Sequence, residues 1–224
     1  MKFEIITLFP EMFSAITEEG VVARAIKKSI ISIREWQLRD FSSNKYKNID
    51  DKPYGGGGGM VMQVKPIRDC IAKIKEQTPE TKVIYLSPQG QKLNQSLVEK
   101  LSSFDSLTLL CGRYEGVDER IIENDIDYEV SIGDYVISGG ELAAMVLIDS
   151  VSRRLPNVLG NEDSLKDSFT DNLLDYPHYT RPETIDGQTV PQVLLSGNQA
   201  KIDAWRHEQS NEKTKTKRPD LLKK

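Results

Sequence analysis

The sequence predicts an α/β fold: a parallel sheet covered by helices on both faces, followed by a small helical C-terminal domain. Three observations carry this reading. Strand-like and helix-like segments alternate from the N-terminus to about residue 155. The strand segments are near-continuous apolar runs, as in parallel strands buried on both faces. The composition then changes near residue 160, where the polar stretch "GNEDSLKDSFTDN" carries no periodicity and reads as a linker.

The elements follow in order. "KFEIITLF" is a strand and "EMFSAI" begins a helix, while "SIREWQLRDF" alternates and suits a second strand. "VKPIRDCIAKIKEQ" repeats Ile67, Ile71 and Ile74 at helical spacing. "TKVIYLS" is a β-branched strand, and "PQGQKLN" after it is turn-rich. "QSLVEKLSSF" predicts a short helix and "DSLTLLCG" a buried strand. "RYEGVDERIIEN" turns into a helix, "IDYEVSIG" is again a strand, and "ELAAMVLIDSVSRRL" is a long, strongly apolar helix. In the C-terminal part, "NQAKIDAWRHEQS" predicts one amphipathic helix. A domain of about 50 residues buries little core, so this one is expected to dock on something.

The chain has 224 residues, 38% of them hydrophobic, with both charge signs plentiful. That suits one large soluble domain with a small appendage. No apolar run reaches the roughly 18 residues of a membrane span. Glu4 inside the first apolar stretch, with no small-residue cleavage site, argues against a signal peptide. The two cysteines, Cys70 and Cys111, lack metal spacing and are expected as free thiols in a reducing cytoplasm. Two histidines, His178 and His207, exclude a His-rich metal site. The net charge of −4 argues weakly against nucleic acid, but phosphate binding is a local matter. Basic clusters do occur at Arg24, Lys27 and Lys28, at Arg153 and Arg154, and in the tail "KTKTKRPDLLKK". Each would also serve as an ordinary solvated face.

Ligands of parallel sheets bind beyond the carboxyl ends of the strands. Three strand ends here carry glycine loops: "YLSPQG" (85–90), "LLCGRYEGVDER" (109–120) and "SIGDYVISGGEL" (131–142). A glycine after a strand is often a plain turn, but three loops at one sheet edge suggest backbone approaching a ligand. Neither the dinucleotide fingerprint nor the phosphate loop is present. With Tyr114 and Tyr135, the loops suit a flat purine moiety and point to an adenosyl group. The run "GGGGGM" (55–60) is either a flexible connector or another place of close backbone approach.

The stretches "PYGGG.GM", "YLSPQG", "CGRYEGVDER", "SIGDYVISGGELAAM", "DSF", "LLDYPHYTRP" and "WRHEQS…RPDLL" resemble the bacterial tRNA (guanine-N1)-methyltransferases of the SPOUT class, along nearly the whole chain. The resemblance implies a deep trefoil knot gripping S-adenosylmethionine, a rare exception among folds. It implies a cytoplasmic homodimer with an interfacial active site. It also implies a division into a methyltransferase domain (1–160), a flexible linker carrying the catalytic Asp (161–172) and a helical tRNA-binding domain (173–224).

Carried over by motif, the cofactor residues are Leu86, Ser87 and Pro88; Gly112, Tyr114 and Glu115; and Ile132, Gly133, Asp134, Tyr135, Val136, Ile137, Gly139 and Gly140. The catalytic carboxylate matches Asp167, selected over the neighbouring Asp163 and Asp171 only by "DSF". The catalytic arginine matches Arg153, although Arg153 and Arg154 would each complement a helix dipole. Gly58, Gly59, Asp175 and His178 match positions close to the target nucleotide. The family commonly has proline where Gly58 stands, which leaves this loop more mobile. The implied reaction is methyl transfer from S-adenosylmethionine to N1 of guanosine 37 of tRNA, with Asp167 as general base and Arg153 stabilising O6. The family's magnesium dependence finds no carboxylate cage here, so no protein metal ligands are expected, and Mg2+ would act through RNA or water. The alternative is a non-catalytic RNA-binding protein that retains the cofactor fold; Asp167 together with an intact third loop argues against it.

Overall fold

The computed structural model describes residues 1–160 and 167–222. The chain divides into two compact units, Met1–Gly160 and Asn161–Lys224.

In the first unit, β1 (Lys2–Thr7) leads through a 3-10 turn (Pro10–Phe13) into α1 (Ser14–Thr17) and α2 (Gly20–Lys27). β2 (Ser32–Gln37) ends where the Gln37 side chain accepts a hydrogen bond from the Arg39 amide and starts a 3-10 turn, Leu38–Phe41. The expected strand over 32–41 is therefore shorter: the local cap outcompetes continued pairing. A short antiparallel pair, β3 (Asp50–Asp51) and β4 (Val61–Met62), frames the glycine run. Then come α3 (Val64–Gln77), β5 (Lys82–Lys92), α4 (Gln95–Ser102), β6 (Ser106–Cys111), α5 (Glu119–Asp125), β7 (Tyr128–Ser131) and α6 (Gly140–Ser152).

The sheet is parallel throughout, in the order β2-β1-β6-β5-β7. Successive side chains of a strand point to opposite faces, and each face has its own core. Ile84, Leu86, Leu107 and Leu109 pack with Ala144, Leu147 and Ile148 of α6 on one face. Val83, Tyr85 and Leu110 pack with Ile67, Ile71 and Ile74 of α3 on the other. This is why the strand sequences are apolar at nearly every position: β6 is buried along its whole length.

The expected turn after "YLS" differs in one respect. β5 does not stop but slips register: Leu86 and Gln91 both pair with Val130 of β7. The intervening residues bulge out of the ladder at the sheet's carboxyl edge.

The second unit has a hairpin, β8 (Thr184–Ile185) and β9 (Gln188–Thr189), turned at Asp186 and Gly187 with φ of 51° and 76°. Two positive φ values in a two-residue loop are the hairpin-compatible geometry. α7 (Gln192–Leu195) and α8 (Gln199–Lys217) follow. Asn198 caps α8 by accepting from the Lys201 amide. Ile202, Trp205, Arg206, Gln209, Ser210, Lys213 and Thr214 form its covered stripe. The helix runs further than the expected amphipathic segment. Thr214 is fully buried, and its hydroxyl accepts from the Leu174 amide at 2.8 Å. Of the expected linker, 161–166 lies outside the described residues. Residues 167–172 form a turn in which the Phe169 amide donates to Leu173 O at 2.7 Å and the Asp175 amide donates to Ser168 Oγ at 3.0 Å.

Candidate active site

The bulge within β5 and the loops following β6 and β7 lie at the same edge of three adjacent strands. They enclose a cavity of about 240 Å3, near the small end of ligand clefts. Every expected cofactor residue except Asp134 lines it. Asp134 faces solvent instead, and its carboxylate meets Lys92 Nζ at 2.6 Å. Leu86, Val130, Ile132, Ile137 and Ala143 give the cavity apolar walls, while Tyr114 and Tyr135 stand half exposed at its mouth. Tyr114 has φ of 61°, a left-handed conformation uncommon for a side-chain-bearing residue. Such outliers persist where the surroundings hold them. Here the adjoining Glu115 amide donates to Met60 O at 3.0 Å and the Gly116 amide to Arg113 O at 3.1 Å. The cavity thus combines apolar walls with a glycine-rich rim.

The glycine run joins this site through the second loop. Gly55, Gly56, Gly57 and Gly59 have φ between 79° and 123°, so four of the five positions demand glycine. Gly59 also lies against Glu115: an added Cβ would come within 2.6 Å of the Glu115 Cγ. Gly58 has no such demand, with no atom within 4 Å of an added Cβ. β4 is stitched to the second loop as well, the Met62 amide donating to Gly116 O at 3.0 Å and the Asp118 amide to Met62 O at 3.1 Å. At Gly59 the backbone thus lies close to the Glu115 side chain, which belongs to the loop that lines the cavity.

Three residues that sequence reasoning missed tie these loops together. Arg113 lines the cavity, and its Nε donates to Glu141 Oε2 at 2.9 Å. Glu141 is fully buried and also accepts from the Thr7 hydroxyl at 2.9 Å. These partners lie 28 and 134 residues apart in sequence. The available signal was a glutamate inside the apolar "GGELAAM", a charge that burial obliges to find a partner.

The remaining candidates divide between the two units. Arg153 is the C-cap residue of α6, its amide donating to Asp149 O at 3.1 Å. Its neighbour Arg154 is engaged by Glu99 of α4 at 3.0 Å. Asp167 is exposed in the second unit, at the start of the turn before Asp175. His178 Nε2 lies 2.7 Å from Asp175 Oδ2, and Lys213 Nζ donates to Asp175 O at 2.9 Å. Nearby, Tyr176 and His178 have ring centroids 4.7 Å apart, and the Arg206 guanidinium lies 4.7 Å from the Tyr176 ring. With Tyr179 and Leu194 these residues line an open cleft of about 990 Å3 within the second unit. Among the described residues no group of three or more His, Cys, Asp and Glu side chains could hold a metal ion.

A parallel sheet with glycine loops gathered around a cavity at its carboxyl edge defines the class of α/β proteins that bind a small ligand beyond the strand ends. The particular family is given by comparison. The profile described as tRNA (Guanine-1)-methyltransferase TrmD matches residues 1–224. The chain is 58% identical over 224 residues to the tRNA (guanine-N(1)-)-methyltransferase of Shewanella sediminis, covering 99% of this chain and 93% of the relative. It is 58% identical to that of Salmonella newport over 224 residues (99% and 88% covered). It is 57% identical to that of Aliivibrio salmonicida over 220 residues (97% and 88% covered). The chain belongs to the tRNA (guanine-N1)-methyltransferase family.

Proposed function

We propose that this protein transfers a methyl group from S-adenosylmethionine to N1 of guanosine 37 in tRNA, next to the anticodon. The observation that carries the reading is the convergence of the three glycine loops on one cavity, in a chain matched end to end by the family profile. Leu86, Ile132 and Ile137 would hold the adenosyl moiety by apolar contact, with Gly112, Gly133, Gly139 and Gly140 letting backbone close on it. When bound, S-adenosylmethionine supplies an electrophilic methyl group and leaves as a neutral thioether.

The N1 of guanine carries a proton at neutral pH and is a poor nucleophile. The Asp167 carboxylate takes that proton as N1 attacks, a contribution of roughly 10²–10⁴-fold. The charge that moves onto O6 is met by the Arg153 guanidinium, as an oxyanion hole meets an acyl oxygen. The guanine must leave the stack to reach the cavity. The second unit, with its Arg206–Tyr176–His178 cleft and basic α8, would hold the anticodon branch by stacking and phosphate contacts. On this reading Gly58, Gly59, Asp175 and His178 face the target nucleotide, residues 161–172 serve as the linker that brings Asp167 in, and 173–224 bind RNA.

The reading includes a knotted SPOUT-type first unit and a homodimer with a composite site. The close passage of Gly139 and Gly140 beside the second loop, with the Gly140 amide donating to Gly112 O at 2.9 Å, supports the knot. Leu142 and Val146, one turn apart on the largely apolar α6 and 49% and 48% exposed, support a partner copy over that helix. Buried free thiols at Cys70 and Cys111 suit the cytoplasm. Among the described residues no helix is long and apolar enough to cross a membrane.

The test is incubation with methyl-labelled S-adenosylmethionine and unmodified tRNA. Label should enter the tRNA, and a guanosine-37 to adenosine transcript should stay unlabelled. Equal labelling of both transcripts would overturn the assignment.

A further inference from the structure

We infer that Thr7, Glu141 and Arg113 form a buried clamp that fixes the second and third cavity loops against each other, and so sets the geometry of the methyl-donor site. The clamp rests on the donor reading proposed for this cavity. It adds positioning residues that touch the cavity through only one member.

Glu141 lies in the first turn of α6 with no exposed surface. A carboxylate taken out of water needs partners for both oxygens. Oε1 accepts from Thr7 Oγ1 at 2.9 Å, and Oε2 accepts from Arg113 Nε at 2.9 Å. Thr7 closes β1 and is itself held, its hydroxyl oxygen accepting from the Phe9 amide at 2.9 Å. Arg113 is 18% exposed and reaches across to the third loop, donating from Nη1 to Ser138 O at 3.2 Å. Phe9 covers the guanidinium, 4.5 Å from its ring centroid. Gly139 lies flat against the same group: a Cβ there would run into Arg113 Nε and Cζ.

The Glu141–Arg113 pair thus joins the end of β1, the loop after β6, the loop after β7 and the start of α6. Arg113 sits between Gly112 and Tyr114, and Ser138 lies beside Gly139; all of these line the cavity. Thr7 and Glu141 do not, so whatever they contribute to the donor passes through Arg113. Removing Glu141 leaves a mostly covered guanidinium without its counter-charge. The loop that carries it must then shift to hydrate it, and a preorganised wall is lost.

The test is calorimetric titration of S-adenosylmethionine and S-adenosylhomocysteine into full-length Thr7→Val, Glu141→Ala, Glu141→Gln and Arg113→Ala proteins. Circular dichroism checks that each is folded. Glu141→Ala should weaken both ligands by roughly 10-fold or more, the effect of removing a charge-assisted hydrogen bond. Glu141→Gln, which can still accept from Arg113, should recover part of that loss. The double variant Arg113→Ala/Glu141→Ala should be no worse than its worse parent, as for groups acting as one unit. Turnover at saturating donor should fall by less than about 3-fold, because the clamp acts on binding. If Glu141→Ala does not fold, Thr7→Val carries the test: it removes the hydroxyl that donates to Glu141 and accepts from the Phe9 amide, and should weaken donor binding by roughly 3-fold or more. The clamp is overturned if folded variants at Thr7 and Glu141 bind the donor like wild type, whether or not Arg113→Ala weakens it. Wild-type protein that binds neither ligand would instead sink the donor reading on which the clamp stands.

Discussion

Gly140 offers the sharpest packing experiment in the first unit. A Cβ added there would lie 2.8 Å from Cys111 Cα and 2.9 Å from the Gly112 amide nitrogen. Both are backbone atoms at the end of a fully buried strand, so no rotamer change relieves the clash. Overpacking of this kind costs about 1–3 kcal/mol. Alanine in place of glycine at a helix start returns at most about 1 kcal/mol of backbone entropy. Gly140→Ala should therefore lose roughly 1–2 kcal/mol, which for a chain of this size lowers Tm by about 2–8 °C. Because the displaced atoms belong to the second loop, donor affinity should fall with it. Gly58→Ala is the control: nothing lies within 4 Å of its added Cβ and its φ is outside the left-handed region. It should be neutral or gain about 0.4–1 kcal/mol through the unfolded state. Differential scanning fluorimetry with and without S-adenosylmethionine reads both effects. A Gly140→Ala protein with wild-type Tm, or a Gly58→Ala protein damaged as badly, would refute the packing argument.

Asp167→Asn should lower turnover by roughly 10²-fold or more while donor binding measured by calorimetry stays near wild type; joint collapse of both would make Asp167 a structural residue. Replacing Lys215 and Lys217, exposed at the end of α8, by glutamine should weaken tRNA binding and flatten its salt dependence by about 0.7–0.9 for each RNA phosphate left without its lysine. An unchanged slope in filter-binding assays would make them bystanders. Burial pushes both thiols up, Cys111 with a further push from Glu141 and Cys70 with one from Glu4. Their thiolates should therefore be scarce even at pH 8, and a disulfide reagent should find no reactive thiol until denaturant is added. Prompt reaction of the native protein would contradict the burial.

What the sequence made legible follows from the range of the forces involved. Ile67, Ile71 and Ile74 announce α3 because helical burial has a local period, and the helix runs from Val64 to Gln77 as expected. The glycine loops were legible because the strands before them are apolar and their order limits where loops can gather. The Thr7–Glu141–Arg113 chain was not, because its members meet only when β1 and β6 lie side by side. The slipped register of β5 was hidden for a related reason: "PQGQK" carries turn residues, and only the facing strand β7 keeps it in the sheet. The end of α8 was also hidden, since "NEKTKTK" shows no apolar period and the helix is held instead by the buried Thr214. Asp167 stood out from Asp163 and Asp171 through motif alone.

Methylation of a single atom is the central claim, and that atom lies on the Watson–Crick edge of guanine. A methyl group at N1 blocks base pairing, so reverse transcription of the product should stop one nucleotide 3′ of guanosine 37. The stop should appear only when both donor and protein were present, and hydrolysis of the same tRNA should yield N1-methylguanosine by mass spectrometry. Methylated nucleoside of any other kind, or a stop at any other position, would contradict transfer to N1 of guanosine 37.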